Sequence, residues 1–178
     1  MKKYIKILSI LVLFAAIFVV TGCNNNDPTK DFKNPKTIEY KTDKGTMKLT
    51  YDDDGTYEVV KNDPYVTLKN KDANFRIDMD YSSNTVKQQE TAKENFKKDK
   101  NYTIIDNLKY RDYEGYAMIQ NEYGTANVYL TLDKDNDIIS NIKVSAVITK
   151  DFGSKKPEDV YFNQEKVQQI LKTVQYEK

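Results

Sequence analysis

The sequence of 178 residues contains no histidine and no tryptophan, and it has a single cysteine. Without histidine, the chain cannot build a Ser-His-Asp triad, a Cys-His pair or a histidine-bearing zinc site. It has only six glycines, and none of them forms a GxGxxG or GxxxxGKS phosphate loop. These absences exclude several common classes of enzyme, and we predict no cofactor.

The one cysteine, Cys23, follows a basic and then an apolar segment at the N-terminus. Lys2, Lys3 and Lys6 precede the apolar run ILSILVLFAAIFVV, and the polar segment NNNDPTKDFKNPK comes after Cys23. A permanent transmembrane helix needs about 20 apolar residues, whereas the apolar part of an export signal has about 7–15. We therefore predict an export signal over residues 1–22.

The segment from Val20 through Thr21 and Gly22 to Cys23 resembles the lipobox of bacterial lipoproteins. In that family a diacylglyceryl group is attached to the cysteine sulfur, and a peptidase cuts just before the cysteine. The resemblance implies cleavage between Gly22 and Cys23 and anchoring of the protein in the membrane through lipid on Cys23. The alternatives are a buried structural cysteine and an ordinary signal peptide with an incidental cysteine.

Composition and charge describe the chain that remains after the signal. Taking the three signal lysines from 28 Lys and Arg leaves 25, against 27 Asp and Glu. This near-neutral balance lacks the basic stripe of a nucleic-acid-binding protein, so we predict no nucleic-acid partner. Abundant Lys, Asn, Ile and Tyr indicate an AT-rich genome and, with the lipobox, a Gram-positive source. The protein would then lie on the outer face of the cell membrane.

The pattern after Cys23 predicts a short tether and one domain. Residues 23–36 are polar and contain Pro28 and Pro35, which is typical of a flexible linker. Residues 37–178 are enough for a single domain. From Thr46 we predict a β-hairpin with its turn at DDDG, and then a strand at YVTLK. Alternation in NFRIDMDY predicts a further strand with its apolar residues on one face.

The second half of the chain alternates between helix and strand patterns. SSNTVKQQETAKENFKKDK predicts a helix with a thin apolar face. YTIIDNLKY, YAMIQNEY, ANVYLTL and IISNIKVSAVI predict a four-stranded meander with turns at EG, GT and DKDND. In the last of these strands, five residues are expected to share one face: Ile138, Ile142, Val144, Ala146 and Ile148.

The C-terminal segment predicts a final helix that packs on the sheet. Asn163 is expected to cap this helix. Its apolar stripe consists of Val167, Ile170, Leu171 and Val174, at the spacing of one helix face. An antiparallel sheet of about six to eight strands with a middle helix and a C-terminal helix makes an α+β domain.

The order of these elements and the closing NQEKVQQILKTVQYEK resemble the PsbP/Mog1-like family, a sandwich in which helices cover a twisted antiparallel sheet. Small bacterial lipoproteins also use this fold. The resemblance implies an accessory or binding protein more than an enzyme. It carries no catalytic motif, so no binding residues can be transferred from it.

Two groups of acidic residues are candidates for metal binding or catalysis. Asp133, Asp135 and Asp137 match the first, third and fifth positions of a calcium loop, but the glycine and the final glutamate of that loop are missing. They are a weak metal candidate, and a hairpin turn is the competing interpretation. Asp78 and Asp80 share a strand face about 7 Å apart, and paired carboxylates can hydrolyse glycosides. The competing interpretation is a solvated strand face.

Tyrosine is unusually abundant, with fourteen residues. Four of them lie close together in sequence: Tyr110, Tyr113, Tyr116 and Tyr123. Tyrosine suits protein or sugar contacts, although it also fills strands. If exposed, these four would form a contact surface. We expect a lipid-anchored, non-enzymatic binding or accessory module of the cell envelope, with an unidentified envelope protein or ligand as its partner; the alternative is an envelope hydrolase that uses paired carboxylates.

Overall fold

A computed structural model describes residues 27–62, 65–149 and 153–178. The prediction for Gly22 and Cys23 lies outside these residues. The strands of the described part are β1 (Pro35–Thr42), β2 (Gly45–Asp52), β3 (Tyr57–Asn62), β4 (Tyr65–Asn70), β5 (Phe75–Met79), β6 (Tyr102–Tyr110), β7 (Tyr113–Gln120), β8 (Thr125–Asp133), β9 (Ile138–Ile139), β10 (Ile142–Ala146) and β11 (Gln175–Glu177). The helices are α1 (Val86–Phe96), α2 (Pro157–Val160) and α3 (Glu165–Leu171). Within the described residues, no helix is both long enough and apolar enough to cross a membrane.

The strands form two antiparallel sheets. The large sheet has eight strands in the order β3-β4-β5-β10-β8-β7-β6, with β9 paired to β8. The small sheet has the order β1-β2-β11. This arrangement confirms the α+β class, the mostly antiparallel sheet, the middle helix and the C-terminal helix.

The core lies on one face of the large sheet. In β5 the side chains of Phe75, Ile77 and Met79 are buried, which confirms the alternation expected from the sequence. The small sheet contributes buried side chains to the same core, including Met47 and Leu49. Full burial of each such side chain stabilises the fold by about 1.5–3 kcal/mol.

The helix α3 closes this core as expected. All four residues of its predicted stripe are buried: Val167, Ile170, Leu171 and Val174. Val174 lies beyond the end of α3, and the chain then continues into β11, which pairs with β2. The Thr173 hydroxyl connects α3 to β2, since it accepts from the Thr50 amide at 2.7 Å and donates to the Ile170 carbonyl at 2.6 Å. The cap prediction was wrong, because the N-cap is Gln164, without a side-chain bond, and Asn163 bonds Asp159 instead.

The helix α1 covers part of the opposite face of the large sheet. Thr85 and Gln88 form a capping box that begins the helix, in which each side chain satisfies a backbone amide. Gln89 is the only fully buried residue of α1, so the prediction of a thin apolar face is confirmed. The ring of Phe96 lies 4.8 Å from that of Tyr102 in β6, centroid to centroid, and fixes the other end of the helix.

The predicted hairpin over residues 46–60 was wrong. The strand β2 pairs with β1, and β3 pairs with β4, so residues 53–56 connect two different sheets. The first strand begins at Pro35, inside the segment expected to be a tether. It was missed because its inward residues, Ile38 and Tyr40, are separated by charged side chains and follow a proline-containing polar run.

Two details of the predicted meander also differ from the structure. The turn between β6 and β7 is formed by Arg111 and Asp112, whereas Glu114 and Gly115 lie within β7. A side chain at Gly115 would overlap the Tyr129 carbonyl oxygen, so glycine is required here for close strand approach and not for a turn. The last strand is divided into β9 and β10, and Ile148 is 63% exposed instead of sharing their buried face.

Candidate binding cleft

The four predicted contact tyrosines do not form one exposed patch. Tyr110 and Tyr116 are only 4% and 2% exposed, and Tyr113 is partly buried, whereas Tyr123 is 45% exposed. The expectation of a shared contact surface was therefore wrong for Tyr110 and Tyr116. These tyrosines do not share one surface. Tyr110 and Tyr113 lie at the turn end of the β6–β7 hairpin, whereas Tyr116 lies further along β7 and faces the opposite side of the sheet.

Tyr116 connects the large sheet to α1. Its hydroxyl oxygen accepts a hydrogen bond from the Gln89 side-chain amide at 2.6 Å. Its ring packs against Tyr129 with centroids 5.2 Å apart, and the Lys93 ammonium lies 5.6 Å from the Tyr116 ring centroid. Burial raises the pKa of Tyr116 to about 12. These contacts of Tyr116 fix the distance between α1 and the large sheet.

Tyr110 and Tyr113 connect the same hairpin to the C-terminal segment. The Tyr110 hydroxyl donates to the Gln168 side chain in α3 at 2.8 Å, and burial raises the pKa of Tyr110 to about 12. The Tyr113 hydroxyl accepts from the Tyr176 amide in β11 at 3.0 Å. The hairpin is thus held on both sides by buried or half-buried hydroxyl groups.

An open cleft of about 740 Å³ lies between α1 and this hairpin. Its apolar part is formed by Val86, Leu108, Tyr113 and Leu132. Small-molecule sites in proteins commonly have volumes of about 300–1,000 Å³ and combine apolar surface with a few polar groups. The size and lining of the cleft are therefore compatible with a small ligand or a short peptide segment.

A β-bulge shapes one wall of the cleft. The register between β6 and β7 shifts between Ile105 and Leu108, which leaves Asp106 and Asn107 outside the regular pairing. Asn107 has a φ of 56°, a left-handed conformation that asparagine tolerates better than most residues. The Asp106 carboxylate accepts from the Asn107 amide at 3.0 Å and stabilises the bulge. Bulges of this kind often redirect side chains beside functional sites.

An ion-pair network fixes that wall to α1. The Asp106 carboxylate lies 3.4 Å from the Lys93 ammonium and 2.7 Å from the Lys97 ammonium. Lys93 also pairs with Glu90 at 2.7 Å. The hydrogen bond from Lys97 lowers the pKa of Asp106, and the hydrogen bond to Glu90 raises the pKa of Lys93. These charged groups neutralise one another, and their main role is to hold the bulge against α1.

The rest of the hairpin and the β8–β9 turn add further charged residues to the cleft lining. Lys109 and Glu114 pair with each other at 3.2 Å. Asp112 and Lys134 also line the cleft, and within the part of the chain that the structure describes neither forms an ion pair. The cleft can therefore offer one carboxylate and one ammonium group to a ligand, together with its apolar lining residues.

The predicted cation site does not come together. Asp133 accepts from the amides of Asp135 and Asn136 at 3.1 and 3.2 Å and pairs with Lys178 at 3.5 Å. Asp137 accepts from the Val86 amide at 2.8 Å, at the start of α1. Across residues 27–62, 65–149 and 153–178, no three His, Cys, Asp or Glu side chains are placed to hold a metal ion. The acidic segment instead forms the turn between β8 and β9.

The predicted carboxylate pair lies outside the cleft. Asp78 accepts from the Thr67 hydroxyl at 2.6 Å and pairs with Arg76 on the same strand. Asp80 accepts from the Tyr40 hydroxyl at 3.0 Å and from the Tyr81 amide at 2.7 Å. Both carboxylates are engaged in contacts that hold strands together, which is the arrangement expected of a solvated strand face.

Sequence reasoning found Tyr113 but missed the rest of the cleft. Its walls come from α1 and from two hairpin turns that are distant in the chain. The available signal was the pair Asp106–Asn107 in the middle of an apolar strand pattern, because Asp and Asn are depleted in regular strands.

No family model, no curated protein and no solved structure matches this chain. The PsbP/Mog1-like resemblance therefore stays a prediction.

Proposed function

We propose that this protein is a lipid-anchored, extracytoplasmic binding or accessory module of the cell envelope, held in the membrane through lipid on Cys23. The N-terminal sequence supports the anchor: a basic segment, a short apolar run and a cysteine at its end. A folded domain follows, and its first strand begins at Pro35. Confinement to the membrane raises the effective concentration of such a domain for membrane-bound partners.

The cleft between α1 and the β6–β7 hairpin is the proposed binding site. The observation that carries this assignment is its combination of an apolar lining with Asp112 and Lys134, neither of which forms an ion pair with another described residue. The surrounding ion pairs and the Tyr116–Gln89 bond keep the walls in place, and a preformed site loses less entropy on binding. We propose a binding function and no catalysis, since the chain has no histidine and its paired carboxylates are engaged elsewhere.

A thermal-shift screen of residues 24–178 tests this assignment. The panel contains divalent cations, cell-wall sugars, muropeptides and haem. A ligand at 100 times its dissociation constant adds about 2.7 kcal/mol to the free energy of unfolding, which is readily measured as a rise in melting temperature. We expect one class to give a dose-dependent rise.

Cleft variants decide whether that ligand occupies the proposed site. Asp112→Ala and Lys134→Ala should each raise the ligand concentration that gives the same rise in melting temperature about tenfold or more, because each removes a charged contact. Lys61→Ala on the distant strand β3 is the matched control and should leave the shift unchanged. An undiminished shift in both cleft variants would place binding elsewhere.

A further inference from the structure

The charged residues of the cleft lining leave one charge of each sign unsatisfied. The charged side chains of the lining are Glu90, Lys93, Asp106, Lys109, Asp112, Glu114 and Lys134. Most of them neutralise one another in ion pairs with separations of 2.7, 3.4 and 3.2 Å. Asp112 and Lys134 have no ion-pair partner among the described residues. This pattern favours a ligand that carries both charges and is neutral overall, since such a ligand complements both side chains.

Asp112 and Lys134 lie at the same end of two neighbouring strands. Gly115 of β7 pairs with Leu130 of β8 in an antiparallel register, so the residue before β7 and the residue after β8 lie at one end of this pair. Asp112 precedes β7 and Lys134 follows β8, and both side chains are exposed. Neighbouring strands are about 4.8 Å apart, so the two charged groups can reach two groups of one small molecule.

Two uncharged polar side chains of the lining are also available to a ligand. Within residues 27–62, 65–149 and 153–178, the side chains of Asn107, in the bulge, and Thr131, in β8, form no hydrogen bond. An amide and a hydroxyl can each donate and accept, which are the two functions that a peptide group requires of its partners.

The apolar part of the lining is partly open to solvent. Val86 at the start of α1 and Leu108 after the bulge are both partly exposed. A hydrocarbon group that covers these side chains removes apolar surface from water, which favours binding. The ligand should therefore carry an apolar substituent beside its charged groups.

We propose that the cleft binds a small zwitterion with an apolar substituent, either an apolar α-amino acid or a short apolar peptide. The ammonium group of the ligand binds the Asp112 carboxylate, and its carboxylate binds the Lys134 ammonium. Its hydrocarbon group contacts Val86 and Leu108, and the peptide group of a longer ligand binds Asn107. This inference depends on the proposed binding function, because it assigns a class of ligand to the same cleft.

The test uses full-length protein purified from membranes in detergent, and its melting temperature is measured against the concentration of each probe. The zwitterionic probes are L-leucine and L-leucyl-L-leucine, and the tighter of the two shows whether the cleft prefers an amino acid or a peptide. N-acetylation of that probe removes its ammonium charge, and amidation removes its carboxylate charge. We expect each blocked compound to bind about tenfold more weakly, because it loses one charged hydrogen bond.

Variants assign each charge of the ligand to one residue. Asp112→Asn should weaken binding of the zwitterion about tenfold and should not affect the N-acetyl compound, which lacks the group that Asp112 binds. Lys134→Gln should behave in the same way toward the amidated compound. Such non-additive losses are expected of groups in direct contact. Lys61→Gln on β3, at the opposite edge of the large sheet from β6, is the control and should leave every titration unchanged.

Three results would overturn the inference: no rise in melting temperature with either zwitterion, equal binding of the zwitterion and both blocked compounds, or losses that simply add. If a sugar or another compound of the thermal-shift panel then binds, and Asp112→Ala and Lys134→Ala weaken its binding, the cleft is the binding site and only the proposed class of ligand is wrong. If a panel compound binds and neither variant affects it, the proposed site is wrong as well.

Discussion

Tyr116 joins the middle helix to the large sheet through a hydroxyl group that is almost completely enclosed. The tyrosines were the most conspicuous feature of the composition, and composition alone could not distinguish contact residues from core residues. Strand alternation predicted the burial of Phe75, Ile77 and Met79 correctly. In the β6–β7 hairpin, the bulge at Asp106 and Asn107 interrupts the regular alternation of side chains.

Substitution of Tyr116 should destabilise the fold. We expect Tyr116→Ala to lower the free energy of unfolding by about 3–5 kcal/mol, because a large core side chain is removed. Tyr116→Phe should lower it by about 1–3 kcal/mol, because the Gln89 amide loses its partner. Tyr123→Ala, at an exposed position, is the control and should change it by no more than about 0.5 kcal/mol. Urea unfolding of the three variants measures these differences; equal stability of Tyr116→Ala and wild type would contradict the core role.

At the scale of whole elements, the sequence predicted which segments form strands better than which strands pair. Alternation is a local property, whereas pairing depends on contacts between distant segments. The strands β2 and β3 are neighbours in sequence but belong to different sheets. The three-residue strand β11 gave no recognisable signal, because its pairing to β2 and not its own composition makes it a strand.

The strand β11 should stabilise the packing of the two sheets against each other. Tyr176 donates two hydrogen bonds to residues outside β11. Its amide donates to the Tyr113 hydroxyl at 3.0 Å, and its hydroxyl donates to the Lys44 carbonyl at 2.5 Å. Its ring also lies 6.4 Å from that of Tyr81, centroid to centroid. These contacts connect the C-terminus to both sheets.

The prediction at the scale of elements concerns the removal of β11. Truncation after Val174 should lower the free energy of unfolding by about 2–4 kcal/mol, since each lost hydrogen bond contributes about 1 kcal/mol. Tyr176→Ala should reproduce much of this loss, whereas Lys178→Ala should have little effect because the lysine of this ion pair is largely exposed. Thermal unfolding of the three proteins provides the comparison, and a fully stable truncation would show that β11 is dispensable.

For the whole molecule, buried tyrosines predict a loss of stability in alkali. Burial raises the pKa of Tyr40, Tyr57, Tyr110 and Tyr116 to about 12 each, above the ordinary tyrosine value of about 10. A group whose folded pKa is raised stabilises the fold fully below its unfolded pKa and loses that contribution as pH rises to the folded pKa. Stability should therefore fall between about pH 10 and pH 12.

Denaturant unfolding as a function of pH, followed by fluorescence, measures this effect, and the absorbance of tyrosinate reports the ionisation. Tyr110→Phe should reduce the loss of stability between about pH 10 and pH 12, because one raised pKa is removed. Tyr65→Phe should leave it unchanged, since that side chain is largely exposed. A stability curve that is flat across this range would contradict the burial of these hydroxyl groups.

The central claim, a domain anchored through Cys23, is tested most directly by mass spectrometry of the N-terminal peptide from the full-length protein, produced in a Gram-positive host and purified from its membranes. We predict a peptide that begins at Cys23 and carries a diacylglyceryl group on sulfur, and we predict that Cys23→Ala abolishes both the modification and membrane retention. A peptide that begins elsewhere, or an unmodified Cys23 in protein released to the medium, would contradict the account.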